Sequence, residues 1–111
     1  MSLKTVSAAQ LRAARAMLGL KQDEVAHASL VARPTITEIE SGRRVPHART
    51  MADLIRVYES CGIEFISESD GVGPGIRLTW PERDAPDVKA RLAAAGSDQV
   101  AGGPNVVSDV V

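Results

Sequence analysis

Aromatic side chains are nearly missing from this chain, with one Trp, one Tyr and one Phe in 111 residues. Because 44% of the residues are hydrophobic, one small core can still close, but it has to be aliphatic. The single cysteine, Cys61, excludes an internal disulfide. It falls on the apolar stripe Met51, Leu54, Ile55 and Tyr58, a context that suits a buried small hydrophobe better than a redox group. Two histidines, His27 and His47, have no Cys or carboxylate at ligand spacing, so no metal site and no cofactor are expected. His27 reads as a surface residue, and His47 stands where it could cap a helix or touch a phosphate. No Ser, His, Asp grouping carries a nucleophile signature, and the chain does not read as an enzyme. No long apolar run is present for a membrane span, and residues 1–5 are too short and polar for a secretory signal. A cytoplasm of bacterial type is the expected compartment.

Charge looks unhelpful to nucleic-acid binding at first, with 13 basic against 14 acidic side chains. Its distribution tells more. Residues 1–60 hold nine basic and six acidic groups, a balance of +3, and residues 61–111 hold four basic and eight acidic, a balance of −4. The first half could face a polyanion, with modest and salt-sensitive affinity.

Helical periodicity dominates that half. Ser7 with Gln10 three residues on forms a capping-box signal, opening a helix that lines up Leu11, Ala14 and Leu18 and stops at Gly19. Two shorter patterns follow. Residues 22–29 put Val25 and Ala26 inside, and residues 32–41 repeat apolar positions at Ala32, Ile36 and Ile39. The second pattern turns Arg33, Pro34, Thr37, Glu38 and Ser41 outward, with Thr35 beside them. Gly42 ends it, and Arg43 and Arg44 follow. With Lys21 and Gln22 opening the preceding helix, these groups suit phosphate oxygens. Arg15 lies on the apolar stripe of the first helix and needs a carboxylate there, for which Glu40 beside Ile39 is best placed. Past Pro46, a fourth helix runs from about Ala48 to Cys61 and stops at Gly62.

Two short helices spaced around a tight turn define a helix-turn-helix. The chain resembles the phage-repressor and Cro-like family, also called the Xre family, over residues 7–62. The resemblance rests on Arg15, Gly19, Leu20, Gln22, Val25, Ala26, Val31, Ile36, Ile39, Glu40, Gly42 and Pro46. It implies that Arg15 and Glu40 join two helices, that Gln22 holds a phosphate, and that Arg33, Pro34, Thr37 and Glu38 meet base edges in the major groove. The chain departs from the family pattern at Leu30, where the turn usually has Gly, and at Lys21 and Ala32, where Ser or Thr usually caps. Pro34 can offer a base only apolar contact, and Glu38 can only accept hydrogen bonds.

After Gly62 the period changes to alternation. Ile63 and Phe65, then Ile76, Leu78 and Trp80, read as a β-hairpin around the Gly-rich residues 70–75. Gly71, Gly73 and Gly75 could suggest a phosphate cradle, but no helix start with Lys-Ser/Thr follows, so a plain hairpin loop is expected. A lone hairpin is marginal, so it has to pack on the bundle or pair with another copy; either leaves an edge that a four-stranded sheet across a two-fold axis would satisfy, and these five apolar residues are expected to dimerise the chain. In residues 81–111, Asp84 with Pro86 could cap a short helix to about Ala95, carrying Val88 and Leu92. The remainder reads as an acidic, partly disordered tail. The expected architecture is therefore mainly α: a four-helix repressor-like bundle (1–62), a hairpin (63–80) and a flexible tail (81–111).

Two functional readings follow. In one, a homodimer reads an inverted repeat in double-stranded DNA and regulates transcription as a repressor. In the other, the domain binds a protein such as a toxin, as an antitoxin or anti-activator, using the apolar Leu30, Val31 and Pro34 edge or the tail.

Overall fold

The computed structural model describes the backbone of residues 5–101 and the side chains through residue 96. Five helices and one hairpin follow one another: α1 (Ala8–Leu18), α2 (Gln22–Ser29), α3 (Arg33–Glu40), α4 (Ala48–Ser60), β1 (Ile63–Ile66), β2 (Gly75–Leu78), a 3-10 turn (Glu82–Asp84) and α5 (Val88–Ala101). The capping box closes α1: the Ser7 N–H donates to Gln10 Oε1 at 2.9 Å and the Gln10 N–H donates to Ser7 Oγ at 3.1 Å. Leu11, Ala14 and Leu18 then point into an aliphatic core with Val25, Ile36, Ile39, Leu54, Ile55 and Val57.

The hairpin belongs to that same core. Ile63 pairs with Leu78 and Phe65 with Ile76; Ile63 and Phe65 are buried, while Ile76, Leu78 and Trp80 pack against the core from its edge. Phe65 meets Tyr58 edge to face, 6.2 Å between centroids. Of the two covers expected for the apolar side of the hairpin, the chain's own bundle takes it, as a two-stranded sheet this short requires when unpaired. Glu64 and Arg77 sit opposite each other on the other side and form an exposed ion pair at 2.9 Å.

Buried Gln10 ties the hairpin to α1. Its Oε1 is used in the capping box, and its Nε2 donates to the carbonyls of Ile66 (3.1 Å) and Gly75 (2.8 Å), the last pair of the ladder. At the tip, Asp70 and Gly71 both take positive φ between bridged Ser69 and Val72, the geometry that matches strand twist in a two-residue turn. At the base, Gly62 has φ 100, and a Cβ there would lie 2.2 Å from Trp80 Nε1, so both backbone and packing demand glycine.

Several boundaries differ from the periodicity. Ala32 is exposed rather than buried, because it is the extended N-cap of α3 and its place in the core is taken by Val31. Ser60 ends α4, with Cys61 as its C-cap. His47 caps α4 only by position, since its side chain makes no capping bond, and His27 is exposed. The last helix starts at Val88, capped by Asp87 Oδ1 accepting from the Ala90 N–H (3.1 Å), not by Asp84. It runs past Ala95 to Ala101, buries Leu92 and Ala95, and brings Gly96 against Ala28 of α2, where a Cβ would lie 3.2 Å from the Ala28 Cα. The tail expected to be mobile is therefore helical through Ala101. The rest of it, residues 102–111, lies outside the described residues.

Leu30 supplies the turn between α2 and α3 in the left-handed region, φ 60 and ψ 26, with its side chain 61% exposed. Since this conformation costs an L-residue about 1–2 kcal/mol, Leu30→Gly should stabilise the fold by about 1 kcal/mol, seen as a higher urea midpoint at unchanged slope. An unchanged or lower midpoint would mean that the Leu side chain repays its strain. Burial raises both the Tyr58 and the Cys61 pKa, the latter from an ordinary 9.0. Both groups ionise more readily in the unfolded chain, which then binds fewer protons, so stability is full below about pH 9 and falls as the pH rises. The melting temperature should therefore decline between pH 9 and 11; a flat profile would show that the two groups titrate alike in both states.

Candidate nucleic-acid interface

The site is organised around a buried carboxylate. Glu40, at the end of α3, is 4% exposed and receives Arg15 of α1 in a bidentate pair: Arg15 Nε donates to Oε2 and Nη2 to Oε1, both at 2.9 Å. The remaining Arg15 Nη1 donates to the Leu20 carbonyl at 3.1 Å. Hydrogen bonding to Glu40 raises the Arg15 pKa against the opposing effect of burial. Two more groups converge on Glu40. Arg12 donates to its carbonyl, and Gln22 Nε2 donates to Oε1 at 3.1 Å. One side chain thus fastens α1, the start of α2 and the end of α3 to each other.

Around this anchor, α2 and α3 are formed with little help from side-chain caps. Lys21 provides no capping acceptor, but its N–H donates to Glu24 Oε1 at 2.9 Å, so the helix itself supplies half of a box. Lys89 of α5 pairs with the same Glu24, and this hydrogen bond, with that from Lys21, lowers the Glu24 pKa. At α3, Pro34 sits in the first turn, where a missing N–H costs nothing, and Ser29 Oγ accepts from the Val31 N–H at 3.2 Å to shape the entry.

This framework leaves one side of α3 open. Arg33, Pro34, Thr37, Glu38 and Ser41 are exposed and Thr35 half-exposed. Arg43 and Arg44 extend the surface beyond Gly42, and Lys21 borders it across the turn, exposed at the start of α2. Gln22 is half-buried between Glu40 and Thr37, so part of its amide is turned inward. Two of the arginines already have acidic neighbours: Arg33 Nε lies 3.4 Å from Asp23 and Arg44 Nε 3.3 Å from Glu38, while Arg44 Nη1 donates to Thr35 Oγ1 at 3.2 Å. Such exposed pairs contribute little and exchange readily. Among the described residues, Lys21 and Arg43 form no salt bridge.

Sequence reasoning named Gln10 only as the capping partner of Ser7 and did not single out Arg12, Asp23 or Lys89. Arg12 had a usable signal, lying one helical turn before Arg15. Partners of the others come from distant segments, and no local pattern names them.

A short α2, a turn and an α3 with an open polar face, held on α1 by an ion pair to buried Glu40, define a helix-turn-helix, a motif associated with DNA binding. Residues 8–62 match the family model for a helix-turn-helix domain. No curated protein matches the chain. Among the described residues no helix is long and apolar enough to cross a membrane, and no cluster of three or more His, Cys, Asp or Glu could hold a metal.

Removing the Arg15 guanidinium would strand a buried carboxylate, so Arg15→Ala should cost about 3 kcal/mol in chemical denaturation. A loss of less than about 1 kcal/mol would mean that Glu40 relaxes to water and the pair is not the anchor.

Proposed function

We propose that this protein is a sequence-specific DNA-binding regulator of transcription, a repressor that occupies an inverted repeat as a homodimer. The observation that carries the reading is the open face of α3, with Arg33, Pro34, Thr35, Thr37, Glu38 and Ser41 together, bordered by Lys21, Gln22, Arg43 and Arg44 at positions suited to phosphates. On this reading Arg33 is the main donor to base edges, Pro34 offers contact to a thymine methyl, and the flanking basic groups fix the register. Two copies place their α3 helices in successive major grooves, about 34 Å apart. Because Ile63, Phe65, Ile76, Leu78 and Trp80 pack on their own bundle, pairing of copies through the hairpin would use strand edges. A regulator of this kind works where chromosomal DNA is, in the cytoplasm of a bacterial cell.

One observation favours a second reading, a protein-binding module such as an antitoxin that engages a toxin. Leu30 is apolar, exposed and held in a strained conformation beside exposed Pro34, as a protein-contacting edge would be. The basic groups around α3 favour DNA, because a surface used only for protein does not need them.

Selection of bound sequences from a random duplex library, followed by titration of the winner against scrambled DNA, tests the proposal. An enriched inverted repeat is expected. On that duplex Arg33→Ala should cost about 1–3 kcal/mol and relax the sequence preference, whereas Arg43→Ala should weaken all sequences alike and lower the salt slope by about one. No enrichment, with weak salt-sensitive binding only, would move the assignment to a protein partner.

A further inference from the structure

The polarity of the α3 face follows from the buried anchor. Glu40 is acceptor-only, so the Gln22 group facing it at 3.1 Å has to be the amide nitrogen. Gln22 Oε1 is then the group turned to Thr37, and at 2.8 Å the Thr37 hydroxyl is the donor. Among the described residues its other close acceptor is the Arg33 carbonyl at 3.1 Å, again within the protein. A hydroxyl has one proton, and both partners of Thr37 keep that proton inward. Ser41 repeats the arrangement one turn on: its hydroxyl donates to the Glu38 carbonyl at 2.8 Å, the back-bond common for Ser in a helix. Ser41 Oγ also accepts from the Arg43 N–H at 3.4 Å, which leaves it one acceptor site, while Thr37 Oγ1 keeps its lone pairs; the neighbouring Glu38 carboxylate, also acceptor-only, pairs with Arg44.

We propose that Thr37 and Ser41 read DNA as hydrogen-bond acceptors only, so that the base edges facing them carry exocyclic amino groups, those of adenine or cytosine. The inference rests on the DNA reading above and adds its substrate pattern. In the major groove adenine N6 and cytosine N4 are the donors, while guanine O6 and thymine O4 would meet lone pair with lone pair. Gln22 acts here as a positioning residue: it carries the demand of Glu40 for donors outward to a reading side chain.

The test uses the full chain and its enriched duplex, with each adenine replaced in turn by purine, which lacks the 6-amino group, and each cytosine by 2-pyrimidinone, which lacks the 4-amino group. The unmodified protein should lose about five- to tenfold in affinity at one or more positions in each half-site. At such a position Thr37→Val or Ser41→Ala should bind the amino and amino-free duplexes equally, whereas Thr37→Ser should keep the discrimination. Circular dichroism confirms that the variants fold. The inference is overturned if no amino deletion matters to the unmodified protein, or if both Thr37→Val and Ser41→Ala leave every discrimination intact. Failure to enrich any duplex would instead remove the DNA reading, and the inference with it.

Discussion

The arrangement of α2 and α3 depends on the Arg15–Glu40 pair. Neither α2 nor α3, eight residues each, would hold its shape alone, since helices of this length are marginal in water. Their orientation comes from a single carboxylate that faces away from solvent and takes donors from α1 and α2, while its carbonyl takes Arg12. A buried ion pair is a poor source of net stability. Its value here is specification: only one rotation of α3 puts Glu40 within reach of a fork on α1, and that rotation turns Arg33, Thr37 and Ser41 outward.

The rest of the chain supports this arrangement by adding apolar area. The uncapped starts of α2 and α3 and the left-handed Leu30 weaken the motif locally. Packing offsets those losses from two sides. The hairpin closes over α1 and α4 through Ile63 and Phe65, fastened by Gln10, and α5 lies across α2 and α4 through Leu92 and Ala95, with Lys89 reaching Glu24. Ile63, Phe65, Leu92 and Ala95 thus share a core with the matched helix-turn-helix segment.

What could be read in advance follows the range of the interactions. Patterns completed within a few residues, such as the Ser7–Gln10 box, the apolar stripes of α1 and α4, and the alternation of Ile63 and Phe65, show in the sequence and give the mainly helical fold with its hairpin. The outward set on α3 was legible for the same reason, because periodicity alone assigns its face. The Arg15–Glu40 pairing was legible because a charge on an apolar stripe demands a partner. What stayed hidden is long-range. Gln10 reaches carbonyls 56 and 65 residues away, and the last helix, legible to about Ala95, continues to Ala101 through residues that show little period. The cover of the hairpin was open between two surfaces: alternation shows that one side is apolar, not whether the bundle or a second copy lies on it.

The central claim is that DNA docks on the open side of α3, and backbone amide shifts of the isotope-labelled protein during titration with duplex DNA test it most directly. Docking there should give the largest changes in residues 21–22 and 33–44, with the hairpin and α5 nearly unmoved. Changes centred instead on Leu30 or on the outer side of the hairpin, with α3 unaffected, would contradict it.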